Sequence, residues 1–596
     1  MWIVSLILSV CVLICLGAAA IAVNRSDFVK KHRFNLFNAL FICVFVSAIV
    51  MFYPIHFSFE ETTLSGAWRA ILLSLFNSMQ IFTIGCEFAV VTDGLVNCPQ
   101  NIHLLYQIWA ATLFVLAPIF TFGFVLSLFK NLTEYFRYLA SFFKDAYIFS
   151  ELNEKSIALA TDIKNKHKNA AIVFTDVFEE KDEVTSELLD EAKKIRAICF
   201  KKDILVVNFK RHSSKKQIYF FEIGINENEN LNQSLKLIEG YKSRKNTELY
   251  VFSTKVESEI LLSSVEKGSI KVRRISEVQS LINRVLYENG NIIFDSAKEN
   301  QDGIKDISAV ILGMGRHGTE MVKALTWFCQ MDGYSLQINA FDKDPLANEK
   351  FIAQAPELMS DNYNGVKING EAQYKITVHS GVDIETISFV DQIKKITNAT
   401  YVLVALGNDD VNISTAIALR MYFERMKIHP IIQTIVYNSQ QKNVLCGVKN
   451  FNGQKYNIDF IGDLDSSYSE DVIIKSDLEQ DALQRHLKWG QEETFWNYEY
   501  NYRSSIASAI HMKARIKCGI PGAAKKTEDL TVEERDAIEN LEHRRWNAYM
   551  RANGYIYSGS KDKKSRNDLA KMHHDLVDFT SLDENTKRTD SRIGTK

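Results

Sequence analysis

Six consecutive residues, Gly313-Met314-Gly315-Arg316-His317-Gly318, carry the most specific chemistry in the chain. A β-rich run, 307–312, enters them, and a helical pattern, 319–330, leaves them. In that setting each glycine has a physical task. Gly313 permits a tight turn, Gly315 lets a phosphate reach the backbone, and Gly318 lets helix and strand pack closely. The helix N-terminus adds partial positive charge. The next apolar run, 336–341, ends in Asp342, 24 residues past Gly318, where a carboxylate would accept hydrogen bonds from ribose hydroxyls. Arg316 offers a further phosphate contact. The pattern predicts a small-molecule nucleotide ligand, NAD or another adenine nucleotide; the alternative is that the glycines serve turn geometry alone.

Two further sets could touch a ligand. Asp409 and Asp410 follow the apolar run 401–406; they would meet a ligand or cation, or cap the next helix. Glu542, His543, Arg544, Arg545, Trp546 and Tyr557 could clasp a phosphorylated, stackable ligand, since Arg forks bind phosphate and aromatic rings stack on bases. Otherwise Trp546 is core, and the Arg pair is a solvated face or an interface. His317 and His379 are candidate proton carriers. No paired general acid and base accompanies them, so no enzymatic activity is expected. The nine Cys show no CxxC and no Cys/His cluster, so no metal site is expected either.

The elements that must position these residues form several blocks. A length of 596 residues corresponds to about four domains. The net charge of −2, from 70 Lys+Arg against 72 Asp+Glu, argues against a chain-wide nucleic-acid footprint, and no duplex partner is expected. In block 145–300, short apolar runs at 146–149, 170–174, 198–200, 217–223, 248–252 and 271–275 alternate with helical stretches such as 155–164 and 186–194. That alternation predicts a parallel α/β sheet. Its first strand is followed by Ser150-Glu151-Leu152-Asn153, with no Gly-rich turn, and Glu151 would repel a phosphate. This predicts a Rossmann-like domain without nucleotide binding, serving as scaffold. Block 301–480 repeats the alternation around the glycine motif. A helical connector, 481–529, holds a helix at 501–517 stopped by Ile520-Pro521-Gly522, and the last block, 530–596, opens with a helix.

The first 130 residues differ from the rest. Apolar stretches lie at 2–23, 34–55, 67–91 and 104–129, and the first, second and fourth are long enough to span about 30 Å of hydrocarbon. The first lacks the basic flank of a cleaved leader. Arg25, Lys30, Lys31 and Arg33 predict a cytoplasmic loop, and Glu60 and Glu61 an outer one. The domains after the 131–144 linker read as cytoplasmic. The stretch 67–91, interrupted by Arg69, Asn77, Gln80 and Glu87, is therefore expected to dip in and return as a re-entrant segment. A plain four-helix anchor is the alternative. The expected location is a cell inner membrane, multi-pass, with the C-terminal domains cytoplasmic.

Three resemblances add to this reading. Phe82-Thr83-Ile84-Gly85-Cys86-Glu87 resembles the filter of potassium channels, whose pattern is Thr-Val-Gly-Tyr-Gly; Thr83, Ile84 and Gly85 match its start, while the Tyr and second Gly are missing. Gly123 would be an inner-helix hinge. Block 301–480, through Tyr401–Val404 and the following Ala405-Leu406-Gly407-Asn408-Asp409-Asp410-Val411-Asn412, resembles TrkA-N/RCK domains. That resemblance implies regulation of potassium transport by a nucleotide acting as an allosteric ligand. Residues 541–550, Gly554-Tyr555-Ile556-Tyr557, 571–577, Phe579, Leu582, Lys587 and Asp590 resemble the repeated domain of ryanodine receptors, the RyR domain. Bacterial RyR-type versions behind TrkA-N domains imply nucleotide sensing in anti-phage systems. The expected fold is an N-terminal α-helical transmembrane region, tandem α/β Rossmann-like domains and a small α-helical RyR-type domain. The expected function is a nucleotide-regulated ion channel or ion-transport regulator with an RCK-type gating ring, in a homo-oligomer with a tetramer favoured. The alternative is a non-channel, membrane-anchored nucleotide-sensing effector.

Overall fold

The structure is a computed structural model that describes residues 1–24, 36–177, 183–359, 362–363, 366–367, 374–449, 452–453 and 455–595. It contains two compact units, Met1–Ala140 and Ser141–Lys596.

The first unit is helical: α1 (Trp2–Asn24), α2 (Leu36–Phe57), α3 (Leu64–Phe82), a short α4 (Ala89–Gly94) and α5 (Gln100–Ala140). Val44, Phe52, Tyr106 and Leu113 build its core. Its few polar side chains satisfy one another. The Ser9 hydroxyl pairs with that of Ser47 at 2.8 Å, Trp109 Nε1 donates to Ser9 Oγ at 2.8 Å, and Tyr106 donates to the Met51 carbonyl at 2.5 Å. Among the described residues one stretch, Gln100–Thr121, is long and apolar enough to cross a membrane; the apolar stretches of α1 and α2, Trp2–Cys15 and Phe41–Phe57, are shorter. The basic residues Arg25, Lys30, Lys31 and Arg33 lie outside the described residues. The stretch 67–91 is not one crossing helix. The Thr63 hydroxyl caps the start of α3, α3 stops at Phe82, and an irregular segment leads into α4. The 131–144 linker is helical as far as Ala140, because α5 runs on without a break through Pro118 and Gly123.

The second unit holds two sheets with the same plan. The first has β1 (Ala146–Phe149), β2 (Ala171–Phe174), β3 (Ile198–Cys199), β4 (Ile218–Glu222), β5 (Thr247–Phe252) and β6 (Lys271–Ile275), all parallel, in the order β3-β2-β1-β4-β5-β6. The second has β7 (Lys305–Leu312), β8 (Tyr334–Asp342), β9 (Tyr374–Ser380), β10 (Tyr401–Val404), β11 (Ile431–Ile435) and β12 (Ile458–Ile461), parallel in the order β9-β8-β7-β10-β11-β12. The expected α/β architecture with parallel sheets is therefore present. Strands such as β1, β2 and β10 are buried at every residue, as parallel strands covered on both faces must be. In each sheet the order reverses at the first strand, between β1 and β4 and between β7 and β10. A crevice forms at such a switch point, at the carboxyl ends of the strands.

The helices after the second sheet do not form a separate core. Leu325 and Phe328 of α8 (Arg316–Phe328), Ile510 of α11 (Glu499–Lys517) and Leu541 and Met550 of α12 (Val532–Ala552) belong to one buried cluster with the second sheet. Two other helices complete the labels used below, α6 (Glu154–Lys166) and α7 (Glu277–Asn289), with α9 (Asp409–Arg425), α10 (Asp477–His486) and α13 (Glu584–Gly594) in the later part. A capping box between Thr531 and Glu534 starts α12.

Candidate functional site

The glycine motif sits between β7 and α8, and its three glycines differ as the sequence predicts. Gly313 has φ +89°, and a Cβ there would lie 2.4 Å from the Ala405 carbonyl oxygen. At Gly318 a Cβ would lie 1.8 Å from the Gly313 carbonyl oxygen, so only glycine lets α8 approach β7 this closely. Gly315 precedes α8, and a Cβ there would meet nothing within 4 Å. Its backbone faces open space, with the first turn of a 13-residue helix behind it. That is the arrangement a phosphate requires.

The open space is a cavity of about 830 Å³. Gly313, Gly315, Arg316 and Asp342 line one side. Lys155, Phe252 and Tyr468 line the other, so the cavity lies between elements of both sheet regions. Arg316 is exposed and reaches Glu227 only at 4.0 Å. Asp342 ends β8 and does two structural jobs: its Oδ2 accepts from the Met314 N–H at 2.6 Å and its Oδ1 from the Asp344 N–H at 2.8 Å. A carboxylate has about four acceptor positions, so Asp342 keeps capacity for ribose hydroxyls while it braces the glycine turn.

Other expected residues fall elsewhere. Asp409 is corrected from ligand contact to loop brace: its Oδ2 accepts from the N–H groups of Tyr437 at 3.0 Å and Asn438 at 2.9 Å. The cap of α9 is Asn408, whose side chain accepts from the Val411 N–H at 3.1 Å. Asn412, one turn later, lies on the cavity wall and ties β10 to β11. It accepts from the Leu406 N–H at 2.7 Å and donates to the Ile435 carbonyl at 2.8 Å. His317 lines the cavity, and burial followed by the Arg316 charge lowers its pKa. His379 stacks on Phe341 at 4.4 Å, and burial lowers its pKa too.

The first sheet closes the equivalent place. Glu151 Oε2 accepts from the Ile225 N–H at 3.0 Å, and a Cβ on Gly224 would lie 2.8 Å from that same oxygen. Asn153 caps α6 and donates to the Ile223 carbonyl at 2.9 Å. Side chains fill the turn that glycines leave open in the second sheet.

The C-terminal set is split. Glu542 is buried between Arg515, at 2.5 Å, and Arg545, at 2.7 Å. Those two guanidinium groups outweigh burial and hold the Glu542 carboxyl below its ordinary range. Arg544 turns the other way and pairs with Asp332 at 2.6 Å. Neighbours on a helix point about 100° apart, so the expected two-Arg clasp is corrected to one internal ion network and one contact with the β7–β8 region. Trp546 is half-buried, with its ring 4.9 Å from that of His573. A small cavity of about 180 Å³ opens beside Arg545 and Trp546, but Arg544 and Tyr557 are not on its wall. Arg485, Ser504 and Ser508, from the connector, are. Arg545 Nη1 and Ser508 Oγ lack hydrogen-bond partners. The sequence gave no signal for these connector residues, because no spacing links them to α12. His573, His574 and Asp575 cluster within reach of one ion, yet the two imidazoles stack nearly parallel, 13° apart, so their in-plane lone pairs do not converge.

The filter-like residues form the turn that ends α3. Thr83 Oγ1 donates to the Gln80 carbonyl at 3.1 Å, the Gly85 N–H donates to the same oxygen at 2.9 Å, and Ile84 has φ +59°.

Neither a family model nor a curated protein matches the chain.

Proposed function

We propose that the chain is a nucleotide-regulated ion channel or ion-transport regulator, potassium-channel-like, of an inner membrane. In this reading the two Rossmann-like sheets and the RyR-type module form a cytoplasmic ring in a homo-oligomer, a tetramer being favoured. NAD or another adenine nucleotide acts there as a regulatory ligand. The observation that carries the reading is the cavity of about 830 Å³ beside Gly315, braced by Asp342 and open to the N-terminus of α8. A regulatory ligand acts only through unequal affinity for two states. The cavity has walls from both sheet regions, so a ligand that fits one spacing of those walls better than another has that inequality. Residues 141–145 alone separate the end of α5 from β1, a short covalent link for transmitting such a change. His317 and His379 have lowered pKa values and no carboxylate partner among the described residues, which favours a binding role over proton transfer.

One observation favours a second reading. A single stretch, Gln100–Thr121, meets the length and apolarity of a membrane span among the described residues. That fits a membrane-anchored nucleotide-sensing effector without a pore, of the kind implied for anti-phage defence. Ion flux through the purified chain in liposomes, with and without a panel of adenine nucleotides, separates the two. Flux switched by one nucleotide is the expected result. Nucleotide binding without flux under any condition would replace the channel with the anchored sensor.

A further inference from the structure

A second cleft, of about 450 Å³, meets the first at Val278, Gly315 and Arg316, which line both. Three parts of the second unit wall it: Thr254 and Arg274 from the first sheet region, Arg316 and Lys323 from α8, and Arg503 and Lys571 from the C-terminal region. Its walls are rich in cations, and these divide into two groups. Arg274 pairs with Glu499 at 2.6 Å, Arg503 with the same carboxylate, and Lys323 with Glu320 at 3.4 Å. Those charges are spent internally. Arg316 has only Glu227, at 4.0 Å, and Lys571 Nζ donates to the Asn553 carbonyl at 2.8 Å with no carboxylate partner among the described residues. Gly554, with φ +80°, turns the chain so that a Cβ there would lie 3.8 Å from Lys571 Nζ. The turn holds the ammonium at the cleft wall.

We propose that the regulatory ligand is a nucleoside polyphosphate whose free terminal phosphates pass Arg316 into this cleft and are held by Lys571. The inference rests on the reading of the glycine-loop cavity as a nucleotide site, and it narrows the ligand class. A nucleoside monophosphate ends at Gly315, where its single phosphate meets the α8 N-terminus. A dinucleotide such as NAD joins its phosphates internally and has no free terminal phosphate to send onward. A linear triphosphate places two further anionic groups along the line from Gly315 to the two under-neutralised cations. Such a ligand would join the two sheet regions and the C-terminal region through one molecule, and its hydrolysis or exchange for a shorter nucleotide would release the Lys571 end alone.

The test is equilibrium binding of ATP, AMP and NAD to the full chain in detergent, by calorimetry, for the wild type, K571A and the conservative K571R. The expected result is ATP bound about tenfold or more tighter than AMP by the wild type, the size of one charge-assisted contact. K571A should abolish that preference while leaving AMP affinity unchanged, and K571R should restore it. Equal affinity for ATP and AMP in the wild type, tighter binding of NAD than of ATP, or an ATP preference that survives K571A would overturn the inference and leave the nucleotide site standing. Failure of all three nucleotides to bind would overturn the site and the inference together.

Discussion

The two sheets of the second unit share one strand order and differ at one turn. After β7 the chain runs through three glycines, and a cavity of about 830 Å³ opens against Gly315. After β1 it runs through Ser150-Glu151-Leu152-Asn153, and the Glu151 carboxylate occupies the corresponding turn, bound to the Ile225 N–H at 3.0 Å. A second difference follows at the next strand across. The residue after the last paired position of β10 is Ala405, which lines the cavity; on β4 it is Glu222, fully buried. Neither Glu222 oxygen has a hydrogen-bond partner among the described residues, and burial, then Asp203, pushes its carboxyl well above the ordinary range. The same topology thus yields one open crevice and one plugged with carboxyl groups. Strand order creates the place for a site, and the turn chemistry decides whether the site exists.

The comparison can be broken most forcefully at Gly318. Gly318→Val puts a Cβ where the Gly313 carbonyl already lies, so stability should fall by about 3 kcal/mol or more, read by denaturant unfolding. A near-neutral result would mean that α8 does not need this close approach. Next comes Gly315→Leu, where a Cβ meets open space. Stability should hold within about 0.5 kcal/mol while nucleotide affinity drops about a hundredfold. Loss of both together would show that Gly315 is only a turn residue.

Smaller effects sharpen the other half. Because the folded chain favours protonated Glu222, its ionisation costs stability that accrues as pH rises above the ordinary carboxyl value of 4.5. Glu222→Gln should therefore raise stability at pH 7 by about 1 kcal/mol, with the gain shrinking as pH falls toward 4.5. A gain independent of pH would rule out ionisation as its source. Glu151→Ala should cost about 1 kcal/mol for the lost bond to Ile225 and should create no nucleotide binding in the first sheet. Binding gained there would mean that one side chain alone separates the two sheets.

Much of this contrast was legible in the chain. Gly313 and Gly318 occupy positions that no other residue tolerates, so the sequence could hardly conceal them, and the absence of such residues after β1 was equally plain. The alternation of apolar runs located the parallel strands because buried strands must be apolar on both faces. Three things were not legible. Asp409 lies beside a nucleotide-like turn, but its partners are backbone groups 28 and 29 residues later, and only the fold brings them to it. Arg544 and Arg545 are adjacent in sequence yet divided by helical geometry, one toward Glu542 and the other toward Asp332. The far wall of the cavity, with Lys155, Phe252 and Tyr468, depends on packing between elements remote in sequence, which no local pattern encodes.

The most direct measurement is photo-crosslinking of a radiolabelled azido-ATP to the membrane-embedded full chain, followed by mapping of the labelled peptide. Label in the peptides around 313–342 or 404–412, competed by unlabelled ATP and lost in Gly315→Leu, is the expected result. Label around 146–153 or 222–230, or label in the second sheet that persists in Gly315→Leu, would contradict the assignment of the open crevice as the nucleotide site.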